Sequence, residues 1–514
     1  MGSHLGFQIH KTTTSIPLTD ARCTGMGSLT STGPAPPRAR PHVVLLASPG
    51  AGHLIPMAEL ARRLVELHGF AATIVTFTNL SGSPGQLLPR LPASVATAAL
   101  PAVRMDDLPA DAHDGFVLLE LVRRSVPNIR ALLRSINDGS SAAPLAALVP
   151  DFLCSVALPV AAELGVPGYL FIPSNLALVA LTRHILELHE DAAPGEYRDL
   201  PVPLELLGGV SLCREDLPDG CGSSRHPGYE QVVELGRRIR AADGILVNTF
   251  YEMEPGTAEA FKRLAVPEQA AGAFLFPPVF PVGPFVRGPD PDEAAVGASS
   301  PCLEWLDRQP VGSVVYVAFG SGGALSVEQT AELAAGLEAS GQRFLWVVRM
   351  PRTDGADDED DPLAWLPEGF LGRTRGRGLA VAAWAPQVRV LSHPATAVFV
   401  SHCGWNSILE SVGCGVPMLA WPLYAKQSMN AVILEERLGV ALRVAPDVGC
   451  LVTRHEIATV VKELVEGDQK LRRWAEDLQK AAARAWSPEG PSRRALEEVA
   501  IKWKAALGKK KQPM

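Results

Sequence analysis

Two stretches of the chain repeat one order of elements, and that repetition restricts the fold more than any other feature. The first runs from a β-rich apolar run, His42–Ala47, through a glycine turn at Pro49–Gly52. It continues into a segment whose apolar residues Leu54, Met57, Leu60, Ala61 and Leu64 recur at helical spacing, then into a second β-branched run, Ala72–Phe77. The second runs from Ser313–Phe319 through the turn Gly320–Gly323 and a helical segment Val327–Ser340 to Arg343–Arg349. Each is a βαβ unit. Further apolar runs at 145–149, 169–172 and 244–248, and at 379–383, 397–401 and 418–421, alternate with helical segments. The pattern predicts an α/β chain of two doubly wound, Rossmann-like domains, each with a parallel sheet covered on both faces. A chain of 514 residues is also longer than one core usually serves. The Pro/Gly-rich region 277–300 separates the halves as a linker would. In such sheets ligands sit beyond the carboxyl ends of the strands, so functional residues are sought there.

Composition excludes several classes. The net charge is −8, and the one lysine run, Lys509–Lys511, lies in the C-terminal tail, so no nucleic-acid partner is expected. Eight cysteines (Cys23, Cys154, Cys213, Cys221, Cys302, Cys403, Cys414, Cys450) show no CxxC spacing. A reducing, cytoplasmic setting without structural zinc or disulfides fits them. The most apolar stretch, 145–173, is broken by Pro150, Asp151, Pro159, Glu163 and Pro167, so no membrane insertion is expected. Residues 1–40 read as a disordered leader, with Met26 a candidate start.

In the second half, Phe399–Glu410 sets His402, Gly404, Asn406 and Ser407 between a strand and a helix. Free N–H groups at a helix start, with Asn406 or Ser407 as cap, form an anion site; Gly404 permits close backbone approach, and His402 is placed to donate to a phosphate oxygen. Glu410 lies one turn further along the same face, where a carboxylate suits ribose hydroxyls. Upstream, Trp384-Ala385-Pro386-Gln387 offers an aromatic plane with backbone amides beside it, and Phe319-Gly320-Ser321-Gly322-Gly323 supplies a second glycine turn after a strand. The plainer reading is that Asn406 and Ser407 merely cap a helix and His402 is a satisfied strand-end histidine.

In the first half, His53 stands at a helix start, where positive charge is disfavoured and an imidazole suits proton acceptance. Asp151 follows a strand and is placed to orient that ring and stabilise its protonated form. Here the plainer alternative is packing and capping. Glu59 and Asp107 are competing carboxylates whose contexts read as solvated faces.

The segment Trp384–Gln427 resembles the 44-residue signature box of plant family 1 UDP-glycosyltransferases acting on secondary metabolites. The resemblance rests on WAPQ, His393-Pro394, HCGWNS, Glu410, Gly415–Pro417, Trp421-Pro422 and the closing Gln427, and extends from about Pro41 to Lys504. Within the family it is nearest the hydroquinone and monolignol glucosyltransferases, including Trp421-Pro422-Leu423-Tyr424-Ala425. The resemblance implies the GT-B fold, with an acceptor-binding domain over 41–285, a linker over 286–300, a UDP-sugar domain over 301–486, and a final segment, 487–514, whose helix returns to the first domain. It implies that Trp384 and Ala385 meet the uracil, that Gln387 and Glu410 hold the ribose, and that Ser321, His402, Gly404, Asn406 and Ser407 hold the phosphates. Trp405, Tyr424, Lys426 and Gln427 complete the donor site toward the sugar. His53 becomes the catalytic base and Asp151 its partner.

The implied reaction is inverting transfer of a sugar, glucose by the family's habit, from a UDP-sugar co-substrate to a hydroxyl of a small phenolic or other apolar acceptor. It needs neither prosthetic group nor metal, and the acidic run Asp357–Asp361 reads as a solvated loop. A cytoplasmic monomer is expected. Segments 116–121, 152–156 and 173–181 are the expected acceptor lining. One departure stands out: the family places Asp or Glu before the final Gln, and this chain has Lys426, which only donates. That leaves room for a donor with a carboxylate, a weakened site, or a lysine that points to solvent. A UDP-sugar 2-epimerase-like isomerase of the same fold, a nicotinamide-dependent oxidoreductase and a non-catalytic binding module are the rival functions; no GxGxxG is present to favour the oxidoreductase.

Overall fold

The computed structural model describes residues 40–80, 91–109, 114–138, 144–192, 200, 202–226, 228–266, 276–286, 300–351, 361–444, 451–467 and 469–510. The leader, most of the linker, and Asp357–Asp360 of the acidic run lie outside these residues.

The first half contributes β1 (His42–Leu46), β2 (Ala71–Phe77), β3 (Val95–Leu100), β4 (Leu145–Pro150), β5 (Tyr169–Ile172), a small antiparallel hairpin of β6 (Leu204–Leu206) and β7 (Val210–Leu212), β8 (Gly244–Val247) and β9 (Val279–Pro281). The strands order β3-β2-β1-β4 and β5-β8-β9, all parallel, and parallel bridges Leu148 to Gly168 and Asp151 to Phe171 join the two sets. The second half contributes β10 (Val314–Ala318), β11 (Arg343–Val348), β12 (Gly378–Ala382), β13 (Thr396–Ser401), β14 (Met418–Ala420) and β15 (Ala441–Arg443), in one parallel sheet of order β12-β11-β10-β13-β14-β15. The central strands β4, β10 and β13 are buried along their whole length, as continuous apolar runs covered on both faces require.

In each sheet the chain first winds one way and then returns to the other side of its first strand. The reversal falls between β1 and β4 in the first sheet and between β10 and β13 in the second. Such a reversal opens a crevice at the carboxyl ends of the two strands. His53 and Asp151 follow one pair; the glycine turn Gly320–Gly323 and His402 follow the other.

The last helix, Pro491–Lys510, packs on the first sheet. Its Trp503 is fully buried, edge-on to Tyr169 at 5.2 Å and to Phe70 at 6.0 Å, among Leu45, Ile74 and Phe171 of the same core. Among the described residues no helix is long and apolar enough to cross a membrane, and Cys154, Cys213, Cys221, Cys302, Cys403 and Cys414 carry free thiols.

Candidate active site

Because β1 and β4 pair in parallel with Leu46 opposite Pro150, the residues that follow them emerge side by side, and the Asp151 amide donates to the Leu46 carbonyl at 3.0 Å. From β1 the chain turns through Gly50, whose φ of 102° suits glycine, into the helix Ala51–His68. That start carries no side-chain cap. His53, in the first turn, places Nδ1 2.9 Å from Asp151 Oδ2. Asp151 is wholly buried and saturated with donors: the amides of Leu153 and Cys154 reach Oδ1 at 3.0 Å each, and the Ser48 amide at 3.0 Å and the Ser48 hydroxyl reach Oδ2. Burial pushes its carboxyl up, but the attraction of His53 and the hydrogen bonds of His53 and Ser48 outweigh this and hold it below its ordinary value. An ionised Asp151 accepts only, so Nδ1 carries the proton and the Nε2 lone pair is left to accept one.

The competing carboxylates are engaged elsewhere, Glu59 with Arg62 and Arg63 and Asp107 with Arg124. Ser48, between the first apolar run and the glycine turn, is the residue the sequence reading missed here. Its position at the end of a buried strand, before Pro49, was the available signal.

Across the crevice, β13 leads through His402 to the helix Trp405–Cys414. The helix is capped by the backbone of Gly404, with no side-chain bond, so the expectation that Asn406 or Ser407 caps it is corrected: both lie inside the first turn. Their side chains are thereby released for other work. The Ser407 hydroxyl accepts from Gln387 Nε2 at 3.0 Å, and the same Gln387 nitrogen donates to Glu410 Oε2 at 2.6 Å, which joins the two residues assigned to ribose. The Asn406 amide donates to the Gly52 carbonyl at 3.3 Å, while its Oδ1 is buried without a partner.

The His402 ring lies against two glycines. A Cβ on Gly320, itself at φ +73°, would stand 2.6 Å from Cε1, and one on Gly404 2.3 Å from Nε2. Burial drives His402 down to about 4, so the ring is neutral, and its Nδ1 has no partner in the protein. That is not a satisfied strand-end histidine. A helix start without a side-chain cap, a neutral imidazole nitrogen and an orphaned amide oxygen together form a polar cradle with unfilled hydrogen-bonding capacity. Ser321 stands exposed at its lip. Trp384 is 64% exposed beside buried Ala385, an arrangement suited to stacking a planar ring.

Among the described residues only Ala383, Cys403 and Ala425 are non-glycine residues at positive φ, at 61°, 62° and 55°. All three lie in Trp384–Gln427 or adjoin it, each next to a site residue: Trp384, His402 and Lys426. Backbone strain of this kind persists where surrounding structure dictates it.

Trp405 departs from its expected part. Its indole N–H donates 2.7 Å to the Asn248 carbonyl, so the ring is buried between the halves and only its backbone remains for a donor. Asn430, which the sequence reading did not single out, donates to the Cys403 carbonyl at 2.9 Å and accepts from Asn175 Nδ2 at 2.6 Å, a second tie between the halves. Buried Gln427 turns its Oε1 to the amides of Leu423 and Tyr424, at 2.7 and 3.1 Å, bracing the loop before it. Lys426 does not point to solvent: its half-buried ammonium lies 4.7 Å over the Phe152 ring. Residues Leu176–Leu181 of the expected acceptor lining are core instead, all of them buried, and Phe152, Cys154 and Ser155 of the lining expected over 152–156 are buried as well. No group of three or more His, Cys, Asp or Glu side chains is placed to hold a metal among the described residues.

The profile described as UDP-glucoronosyl and UDP-glucosyl transferase matches residues 289–473. Hydroquinone glucosyltransferase of Rauvolfia serpentina is 44% identical over 90% of this chain and 98% of its own, and UDP-glycosyltransferase 72B1 of Arabidopsis thaliana is 42% identical over 90% and 96%. Among solved structures, Phytolacca americana UGT2 complexed with UDP-2fluoro-glucose and pterostilbene aligns with TM-score 0.79 at 40% identity, over 90% of this chain and 99% of that one. A UDP-glucosyltransferase from Polygonum tinctorium capable of glucosylating indoxyl, in complex with 3,4-dichloroaniline, aligns with TM-score 0.82 at 41% identity, over 92% and 100%.

Proposed function

The chain belongs to the family of UDP-glucoronosyl and UDP-glucosyl transferases, a GT-B enzyme with a UDP-sugar as co-substrate, and from that premise we propose that it transfers glucose from UDP-glucose to the hydroxyl of a small phenol, with inversion at the anomeric carbon. The observation that carries the proposal is the contact of His53 Nδ1 with the buried Asp151 carboxylate, 2.9 Å apart, beside the cradle that begins at Gly404. Relatives named for hydroquinone, and a neighbour holding pterostilbene, support a phenolic acceptor.

His53 Nε2 takes the phenol proton as the oxygen attacks the anomeric carbon; the bond from that carbon to the β-phosphate oxygen breaks, and its electron pair leaves with UDP. Asp151 stabilises the imidazolium as it forms. The charge left on the phosphate falls to the helix start at Trp405–Ser407 and to neutral His402, fixed donors that need no reorganisation. Trp384 and Ala385 take the uracil, Gln387 and Glu410 the ribose, Ser321 the phosphates, and Gln427 the sugar end. We assign acceptor binding to 41–285, donor binding to 301–486 and a closing helix to 487–514, in a monomer of the cytoplasm, the last supported by buried free thiols at Cys154, Cys221 and Cys403.

The test is incubation with UDP-glucose and hydroquinone, with product anomers assigned by NMR. A β-glucoside from the α-configured donor is expected. An α-glucoside, or UDP-sugar isomerisation without acceptor, would overturn the reading.

A further inference from the structure

Lys426 belongs by sequence to the donor segment, yet its surroundings belong to the first half of the chain. Its ammonium lies over Phe152, the residue after Asp151, and feels the Asp151 carboxylate and the buried Cys221 thiol. Ala425, left-handed at φ 55°, turns the chain immediately before it, and Gln427 braces the loop immediately after, so the direction of the side chain is built into the backbone. Among the described residues no carboxylate forms an ion pair with Lys426. Asp151 attracts it, but both Asp151 oxygens are already engaged by His53, Ser48, Leu153 and Cys154. A half-buried cation without a paired anion calls for one from outside the chain.

The Phe152 ring under this ammonium also stacks on the His53 imidazole at 5.6 Å, with 29° between the planes. One benzene ring thus spans the base and the cation. Phe152 is itself only 8% exposed, so an aryl acceptor meets the edge of this group rather than the face of its ring; with its hydroxyl at His53 it extends its far end toward Lys426.

We infer that Lys426 selects an acceptor carrying a carboxylate, so that the phenol glucosylated at one end is held as an anion at the other. The inference rests on the transferase reading above and assigns Lys426 a part in acceptor choice rather than in reading the sugar. Burial, which lowers the ammonium to about 8, leaves it largely charged at neutral pH.

The test compares 4-hydroxybenzoate with 4-hydroxybenzamide, of matched shape, using UDP-glucose at pH 7 and wild type, Lys426→Gln and Lys426→Arg. In wild type the anion is expected to be favoured in kcat/KM by about tenfold, the equivalent of one good charge-assisted contact, mostly through KM. The preference is expected to vanish in Lys426→Gln and to persist in Lys426→Arg. Equal use of the two phenols by wild type, or the same preference in Lys426→Gln, overturns the inference and leaves the transferase reading standing. So does an unchanged acceptor ratio accompanied by a swing between UDP-glucuronate and UDP-glucose, which would return Lys426 to the donor. No turnover of either phenol overturns the transferase reading, and this inference with it.

Discussion

The side-chain amide of Asn406 donates to the backbone carbonyl of Gly52 across 354 residues of sequence, 3.3 Å away and one residue before His53. The first turn of one helix without a side-chain cap thereby touches the first turn of another, which ties the proposed phosphate cradle to the proposed base. Asn406→Ala is expected to lower kcat more than it raises the Kd for UDP, because the tie aligns two halves that each bind alone. Steady-state kinetics beside UDP titration by calorimetry checks this.

Removing the proposed base or its partner is expected to bear on chemistry more than on binding. His53→Ala is expected to lower kcat by about 10²- to 10⁴-fold with UDP affinity nearly intact. Asp151→Asn is expected to act similarly and also to destabilise the fold by about 1–3 kcal/mol, since the new amide turns donors toward the Ser48 amide or the Leu153 and Cys154 amides. Urea unfolding separates the two effects.

His402 gives the stability a pH dependence of definite sign. Folded, it holds its proton only below about 4, whereas an unfolded histidine takes one near 6.5. The native state therefore loses ground as pH falls from 6.5 to about 4, by up to about 3 kcal/mol, and gains nothing further above 6.5. His402→Gln should flatten this limb when urea midpoints at pH 7.5 and pH 5 are compared.

Gly404→Ala forces a Cβ onto His402 Nε2. UDP affinity is expected to fall about tenfold or more, and calorimetric titration measures it; an unchanged Kd would show that the ring has room to move.

Much of this was legible in the sequence, for a topological reason. His53 and Asp151 each follow a buried strand, and once β1 and β4 are neighbours in a parallel sheet the two must emerge together. His402 and the Gly320 turn were legible on the same ground. What was not legible depends on the path of side chains between halves. The family resemblance made Trp405 a sugar contact, yet its indole meets Asn248, 157 residues earlier. Asn430 and Asn175 carry no local signal, since two amides 255 residues apart are ordinary polar residues until the halves are docked. Lys426 was visible as an anomaly, but its direction is decided by the left-handed Ala425 and by Phe152 across the crevice.

The burial of Trp503 in the first core has a consequence for biosynthesis. The residue that meets Phe70 and Tyr169 is made more than 330 residues after Tyr169, so the half synthesised first cannot complete its core before the second half has been synthesised. Trp503→Ala, which leaves a cavity there costing about 3–5 kcal/mol, is expected to lower the urea midpoint of the whole protein. Nascent chains stalled before residue 490 should be digested by protease in the segments that a released chain protects. The closing helix thus acts as a late-made latch: the half synthesised first completes its core only once the second half has been made.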